Sequence, residues 1–151
     1  MNILEQITDA LEIEHEDMHH LYDKQNKEVI QLTSEELHIA EEEYDLDDYP
    51  QWQWDNIKLA EQVHQDWDRF ITLPHNRFDY NPYDIMKFFI STLSEDVQPV
   101  YYDLIQGRGA FRRFKDKVFE DGIEKEWFDY RRDTLESIAR KFCQKNDIEI
   151  E

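Results

Sequence analysis

The amino-acid sequence predicts an α+β fold that is mostly helical, with about six helices and a small antiparallel sheet of about three strands. Three observations predict it. The chain contains only 3 Gly and 4 Pro, and apolar residues recur at three- and four-residue spacing through most of its length. Short β-prone runs lie on either side of a polar stretch at residues 23–27, and another ends at Pro74, which is typical of a hairpin with a third strand.

The N-terminal region predicts a helix followed by a hairpin. Apolar residues at helical spacing indicate a helix over residues 3–13, and the same stripe continues to Met18. The β-prone runs around residues 23–27 then indicate two strands, with Asn26 as the residue that adopts the left-handed turn conformation. Because an isolated hairpin is only marginally stable, residues 69–73 are predicted to add a third strand beside it.

Cap signals place the helix starts in the middle of the chain. Residues 33–36, Thr-Ser-Glu-Glu, form a capping box, which predicts a helix from there to about Tyr44. Apolar spacing indicates a further helix over about residues 51–67. The pair Asn81-Pro82 predicts another helix start, because Asn caps a helix and Pro suits its first turn.

Glycines divide the C-terminal region into three helices. Ser94 or Asp96 is predicted to cap a helix that ends at Gly107, since Gly commonly takes the left-handed position after a helix. The next helix is predicted to end at Gly122. Apolar spacing then indicates a last helix over about residues 124–145. No linker or internal repeat interrupts the sequence, so all 151 residues are predicted to form a single domain.

The apolar runs of the chain are short. They fall below the roughly 18–20 residues that a membrane-spanning helix needs, so no membrane association is predicted. The N-terminus lacks the basic and apolar regions of a secretory signal. A single cysteine, Cys143, leaves no internal disulfide and agrees with a reducing compartment. We therefore expect a cytoplasmic protein, and we predict no cofactor.

Charge is distributed unevenly along the chain. The net charge is −19, and residues 1–68 hold 20 acidic against 3 basic residues, while residues 69–151 hold 16 against 14. Proteins bind nucleic acid and anionic lipid by displacing cations from phosphates with Lys and Arg, so bulk binding of either is disfavoured. The excess of acid is compatible with a solvated surface, a basic protein partner or mimicry of a nucleic acid.

A local inversion of charge at residues 107–117 is the strongest candidate for a binding site. This segment holds five basic residues against the single acid Asp116. A helix N-terminus offers unpaired backbone N–H groups, glycine lets an anion approach the backbone closely, and arginine offers forked donors. We predict an anionic ligand held by Gly107, Arg108, Gly109, Arg112, Arg113 and Lys115.

The same segment has an alternative, structural interpretation. In it, Gly107 ends a helix, Phe111 and Phe114 are core residues, and the arginines pair with some of the abundant carboxylates. Exposed ion pairs contribute only about 0–1 kcal/mol each. A basic cluster kept for stability alone would therefore be a weak device.

The decapeptide Gly-Arg-Gly-Ala-Phe-Arg-Arg-Phe-Lys-Asp at residues 107–116 is distinctive. Together with Trp127, Tyr130-Arg131 and the C-terminal Ala139…Phe142 pattern, it resembles a family of uncharacterised bacterial proteins of the UPF series. The likeness is strongest over about residues 81–146. It implies a bacterial, intracellular protein, and because the family has no assigned activity it implies no catalytic residue.

A second candidate is the segment His15-Glu16-Asp17-Met18-His19, which matches the pattern H-E-x-x-H. On a helix, two histidines four residues apart face the same way and hold zinc, while the glutamate activates a metal-bound water. The motif gives one alternative function, a metal-dependent hydrolase that uses His15, Glu16 and His19. No third ligand follows at a recognisable spacing, and the motif lies where the first helix gives way to the hairpin.

The acid-rich residues 41–55 interleave carboxylates with Tyr and Trp. Aromatic anchors among acids can dock a basic partner, which gives another alternative function: an acidic decoy or antitoxin-like partner of a basic protein, acting through residues 1–68. The simpler interpretation is a solvated loop whose aromatic side chains tuck into the core.

We expect a non-enzymatic cytoplasmic binding or regulatory module, because the sequence contains no complete catalytic constellation: the H-E-x-x-H pattern lacks a third ligand at a recognisable spacing. Residues 107–117 are expected to contact an anionic small molecule or an acidic protein partner. The metal-dependent hydrolase and the acidic decoy are the alternatives.

Overall fold

Seven α-helices and one three-stranded antiparallel sheet form the regular structure of residues 1–13, 15–76 and 78–150, which the computed structural model describes. The predicted fold class, α+β and mostly helical, is confirmed. The elements in chain order are α1 (Ile3–Glu12), β1 (Met18–Asp23), β2 (Glu28–Thr33), α2 (Ser34–Ile39), α3 (Trp54–Gln65), β3 (Phe70–Thr72), α4 (Pro82–Ser91), α5 (Gln98–Leu104), α6 (Ala110–Glu120) and α7 (Glu124–Lys145). Short 3-10 turns lie at Leu46–Asp48, Gln51–Gln53 and Trp67–Arg69.

The elements form two compact units. Unit 1 consists of Met1–Leu73 together with the residues from Phe142 onward, and unit 2 consists of Pro74–Lys141. Unit 1 therefore holds the whole sheet with α1 to α3, and unit 2 holds α4 to α6 and most of α7.

The sheet of unit 1 has the strand order β2-β1-β3, with both pairs antiparallel. Leu21, in the central strand, lies opposite Ile30 on one side and Thr72 on the other. This arrangement confirms the predicted hairpin and the third strand beside it. Apolar residues of the sheet pack with those of α2 and α3 in one buried cluster: Leu21, Ile30, Leu32, Ala40, Ala60, Val63 and Phe70.

The hairpin turn is organised by the carboxylate of Asp23. Its Oδ1 accepts hydrogen bonds from the backbone N–H groups of Gln25, at 3.0 Å, and Asn26, at 3.3 Å. These bonds hold the first part of the turn in an Asx-type conformation. The left-handed residue is Lys27, with φ 54°, so the prediction of Asn26 is wrong by one position.

Asp23 also forms a buried ion pair in unit 1. The guanidinium of Arg69 donates from Nε to Oδ1 at 2.8 Å and from Nη2 to Oδ2 at 2.7 Å. Asp23 is fully buried, and the Arg69 backbone carbonyl accepts from the N–H of Lys24 at 2.9 Å. The hydrogen bonds from Arg69, and then those from the Asn26 and Gln25 amides, lower the pKa of Asp23. One carboxylate therefore joins the hairpin turn to the segment that leads into β3.

All three helices of unit 1 are shorter than the sequence predicts. α3 spans Trp54–Gln65 within the predicted residues 51–67, and 3-10 turns lie at Gln51–Gln53 and Trp67–Arg69. α1 ends at Glu12 because Ile13 is extended, and Met18 begins β1 instead of continuing the helical stripe. α2 has the predicted capping box at Thr33 but ends at Ile39, not near Tyr44. Three consecutive glutamates follow from residue 41, and carboxylates are unfavourable at the negative end of a helix dipole.

Unit 2 is built around aromatic side chains. The rings of Phe114, on α6, and Trp127, on α7, meet edge to face with centroids 4.8 Å apart. Phe89, on α4, contacts both rings, and Tyr101, on α5, contacts Phe114. Edge-to-face pairs of this kind add to the stabilisation that burial of the rings provides. Phe114 is fully buried, so α6 is fixed along its inner face.

The helix boundaries of unit 2 agree with the prediction except around α5. The side chain of Asn81 accepts from the Tyr83 N–H and caps α4, as predicted. Neither Ser94 nor Asp96 caps α5: the helix begins at Gln98 after Val97, without a side-chain cap. Pro99 fits this later start because its missing N–H falls in the first turn. α7 spans Glu124–Lys145, as predicted.

Replacing Asp23 by Asn removes the charge that pairs with Arg69 and keeps the size of the side chain. We expect the free energy of unfolding near neutral pH to fall by about 3 kcal/mol, because Arg69 then lies partly buried without its counter-charge. The folded-state pKa of Asp23 is below its unfolded value of about 3.9, so the ionised carboxylate stabilises the fold fully above that value and loses this effect as the pH falls through the folded-state pKa. Urea unfolding at about pH 7 and about pH 3 measures the loss of stability and its dependence on pH.

The matched control is Asp68→Asn, an exposed carboxylate in the 3-10 turn that contains Arg69. It removes the same charge, and we expect a change within about 0.5 kcal/mol. Equal losses in the two variants, or a loss in Asp23→Asn that is the same at both pH values, would show that the buried pair does not have this role.

Candidate functional site

The predicted basic segment forms the connection from α5 to α6. Gly107 and Gly109 both have left-handed backbone conformations, with φ of 71° and 78°, which glycine adopts at little cost. Gly109 is the N-cap of α6 and offers no capping side chain. The first intrahelical donor is the N–H of Arg113, which bonds to the carbonyl of Gly109 at 3.0 Å. The N–H groups before it have no acceptor within the helix.

Arg113 holds this connection in place. Its guanidinium donates to three backbone carbonyls: from Nε to Leu104 at 2.7 Å, from Nη2 to Gln106 at 2.6 Å, and from Nη1 to Arg108 at 2.5 Å. The carbonyl of Leu104, the last residue of α5, is thereby satisfied together with two carbonyls of the connection, and the cation lies at the negative end of the α5 dipole. Sequence analysis predicted Arg113 as a ligand group, and the structure shows its donors turned toward the backbone.

Gly109 is required next to this side chain. A Cβ atom on Gly109 would lie 2.9 Å from Nη1 of Arg113. This distance is shorter than a van der Waals contact between carbon and nitrogen. A Cβ on Gly107 would meet nothing within 4 Å. The two glycines therefore differ: Gly107 is needed for its φ alone, and Gly109 for its φ and for the space that the guanidinium occupies.

The other three predicted cations point into solvent. Arg108, Arg112 and Lys115 are all exposed, and none forms an ion pair or side-chain hydrogen bond with any residue that the structure describes. The structural alternative, in which the arginines pair with carboxylates, is not what the described residues show. Phe111 is also 43% exposed, so only Phe114 of the two predicted core phenylalanines is buried.

The C-terminal end of α6 carries a separate network that sequence analysis missed. The buried hydroxyl of Tyr101 donates to Oδ2 of Asp121 at 2.5 Å, and Lys117 lies 3.3 Å from Oδ1 of the same carboxylate. The Tyr101 hydrogen bond, and then Lys117, lower the pKa of Asp121, while burial and the nearby carboxylate raise the pKa of Tyr101. Lys117 thus has a partner, which leaves Arg108, Arg112 and Lys115 as the solvent-facing cations of the segment.

The chain matches no known family model, no curated protein and no solved structure. The resemblance of residues 107–116 to the uncharacterised family stays a prediction.

The H-E-x-x-H pattern does not lie on a helix. His15 follows the end of α1 and its Nδ1 accepts the N–H of Asp17 at 3.2 Å, while His19 lies in β1 with its Nε2 2.8 Å from the hydroxyl of Ser34. Helical spacing, which the zinc motif requires, is therefore absent. Among the residues that the structure describes, no three His, Cys, Asp or Glu side chains are grouped to hold a metal ion.

The acid-rich residues 41–55 are only partly folded into unit 1. Tyr44 donates its hydroxyl to Glu61 at 2.8 Å, and the indole of Trp54 donates to the carbonyl of Tyr49 at 3.0 Å. Trp52, by contrast, is 78% exposed. The expectation that the aromatic residues tuck into the core holds for Tyr44 and Trp54, which are half-buried, and is wrong for Trp52.

An open depression of about 540 Å³ lies elsewhere in unit 2. Its lining includes the carboxylates of Asp79 and Asp84, and the Asp79 side chain accepts from the N–H of His75 at 2.6 Å. Two carboxylates make this depression unsuitable for an anion.

No helix within the described ranges combines the length and apolar character needed to cross a membrane.

Replacing Arg113 by Lys keeps the charge but loses the planar fork that reaches three carbonyls at once. We expect the free energy of unfolding to fall by about 2 kcal/mol, because bonds from a charged donor are lost and the partly buried Leu104 carbonyl loses its partner. Arg112→Lys is the matched control, since Arg112 has no described partner, and we expect a change within about 0.5 kcal/mol. Urea denaturation measures both, and equal stability of the two variants would contradict the role given to Arg113.

Proposed function

We propose that this chain is a non-enzymatic cytoplasmic binding module that recognises an oxyanion group, phosphate or carboxylate, at the start of α6. The term basic corner is used below for Arg108, Arg112, Lys115 and the first turn of α6. The observation that carries the proposal is that these three cations are exposed and form no described ion pair in a chain of net charge −19.

Electrostatics supports the proposal. Carboxylates outnumber cations by 36 to 17 in this chain, so a cation that stabilised only the fold would readily find an internal partner. Arg108 and Arg112 flank the free N–H groups at the start of α6, where the helix dipole adds further positive potential. Surface charges act over a Debye length of about 8 Å at physiological ionic strength. A small anion at the basic corner is thus governed by these nearby cations and by Asp116, the single acid of residues 107–117, more than by acids farther away.

Preorganisation also supports the proposal. Arg113 and the two left-handed glycines fix the path of the backbone into α6 before any ligand arrives. A binding site whose backbone is already ordered loses less conformational entropy on binding. Cys143 is buried and is the single cysteine of the chain, and the lack of an internal disulfide agrees with a reducing cytoplasm.

The test is a thermal-unfolding titration with two oxyanion probes, pyrophosphate and tetraglutamate. We expect either probe to raise the melting temperature of the unmodified protein, by an amount that corresponds to about 2.7 kcal/mol at a hundredfold excess over Kd. The double variant Arg108→Ala/Arg112→Ala should lose this stabilisation, because both forked donors at the start of α6 are gone.

Lys58→Ala/Lys141→Ala is the matched control. Both lysines are exposed, lie outside the basic corner and have no described ion pair, so the variant changes the net charge equally. It should respond to the probes as the unmodified protein does. If neither probe shifts the melting temperature of the unmodified protein, or if both double variants lose the response alike, the proposed oxyanion site is wrong.

A further inference from the structure

The outward side of α6 combines cations with exposed phenylalanines. Phe111, Lys115 and Phe119 follow one another at four-residue spacing, and Arg112 lies beside them. At 100° per residue, these four positions fall within an arc of about 100° of the helix surface. Ala110, Phe114 and Val118 are buried, on the opposite flank of Phe111. The four outward residues are called the α6 outer face.

Both phenylalanines of this face are exposed to solvent. Phe119 is 70% exposed and Phe111 is 43% exposed, whereas Phe114, between them in sequence, is fully buried. Single exposed apolar residues are ordinary on protein surfaces. Exposed apolar groups that are bordered by polar residues are typical of docking surfaces. Here the apolar and cationic groups share one face.

We propose that the α6 outer face docks an acidic amphipathic segment of a partner protein. This inference rests on the proposed function, because it identifies the oxyanions at the basic corner as carboxylates of that segment. A phosphate compound or a nucleotide would use the arginines but would leave Phe119 in water, since Phe119 lies at the far end of the helix from the start of α6. An acidic segment with apolar side chains uses both kinds of group.

Charge complementarity favours a short acidic segment over a polyanionic surface. Arg112 and Lys115 meet carboxylates at close range, within a Debye length of about 8 Å. An extended anionic bilayer or a nucleic acid would also face the remaining charge of a chain whose net charge is −19, which repels it. The observations therefore favour a protein segment.

Helix geometry sets the spacing of the partner's anchors. Phe111 and Phe119 are eight residues apart, which corresponds to about 12 Å along the axis of α6. A partner helix would place apolar residues seven or eight positions apart on one face, with carboxylates between them opposite Lys115 and Arg112. Asp116 and Glu120 are exposed on the adjoining side of α6 and would repel carboxylates there, which confines the acidic side of the segment to the Arg112 and Lys115 positions.

The experiment is selection of peptides of about 16 residues from a random display library on the intact protein, followed by fluorescence anisotropy with the enriched peptides. We expect the enriched peptides to be acidic and to carry two apolar positions at helical spacing. Phe119→Ser should weaken their binding by about tenfold or more, and Arg112→Ala/Lys115→Ala should weaken it similarly. The matched control is Phe128→Ser, on α7, which removes another largely exposed phenylalanine (58%) and should bind the peptides unchanged.

The remaining outcomes overturn the inference. No enrichment, enrichment of neutral or basic peptides, or equal binding by Phe119→Ser and the unmodified protein would each do so. So would co-sedimentation with phosphatidylserine vesicles in place of peptide binding, or a concentration-dependent dimer that Phe119→Ser disrupts. If pyrophosphate still stabilises the unmodified protein and not Arg108→Ala/Arg112→Ala, only this inference fails; if that stabilisation is also absent, the proposed oxyanion site fails with it.

Discussion

The three hydrogen bonds from the Arg113 guanidinium to the carbonyls of Leu104, Gln106 and Arg108 are the constraint on which the basic corner depends. They tie the first turn of α6 back to the last turn of α5, so the intervening backbone is held by one side chain. Arg113 bonds to backbone carbonyls and not to carboxylates. Its bond to Arg108 involves only the backbone of that residue, and the Arg108 side chain faces solvent. Gly109 is part of the same arrangement, because a Cβ atom at this position would displace the guanidinium of Arg113.

A strongly acidic chain gains selectivity from a small positive area. Most anions meet a repulsive surface, and an anion that fits the basic corner gains from donors that are already ordered. Arg69 in unit 1 is an example of a cation that stabilises the fold. It is partly buried and donates two hydrogen bonds to the fully buried carboxylate of Asp23. Arg108 and Arg112 have none of these features, and this contrast supports a role in binding.

Much of the fold could be predicted from local sequence, because the capping box at Thr33, the Asn81 cap and the periodicity of α7 depend on neighbouring residues. The turn position at Lys27 could not, since hydrogen bonds to the Asp23 side chain shape the turn. The early end of α2 was missed, although the glutamates from residue 41 onward are a local signal against a longer helix. At the candidate site, the cluster of cations at residues 107–117 could be read from the sequence, but not which of these cations have partners within the chain. Helical phase holds part of that information, because Arg113 and Lys117 lie on one flank of the buried stripe. There the Leu104 carbonyl of α5 reaches Arg113, and the Asp121 carboxylate at the end of α6 reaches Lys117.

The most direct measurement is NMR of the arginine side-chain Nε–H groups and the backbone amides of α6 during titration with pyrophosphate. The resonances of Arg108 and Arg112, and of the free amides at the start of the helix, should shift together and saturate with one affinity. The Nε–H of Arg113 should shift least of the three arginines, because its donor is already bonded to Leu104. Saturable shifts confined to other parts of the chain, or a larger shift at Arg113 than at Arg108 and Arg112, would contradict the account.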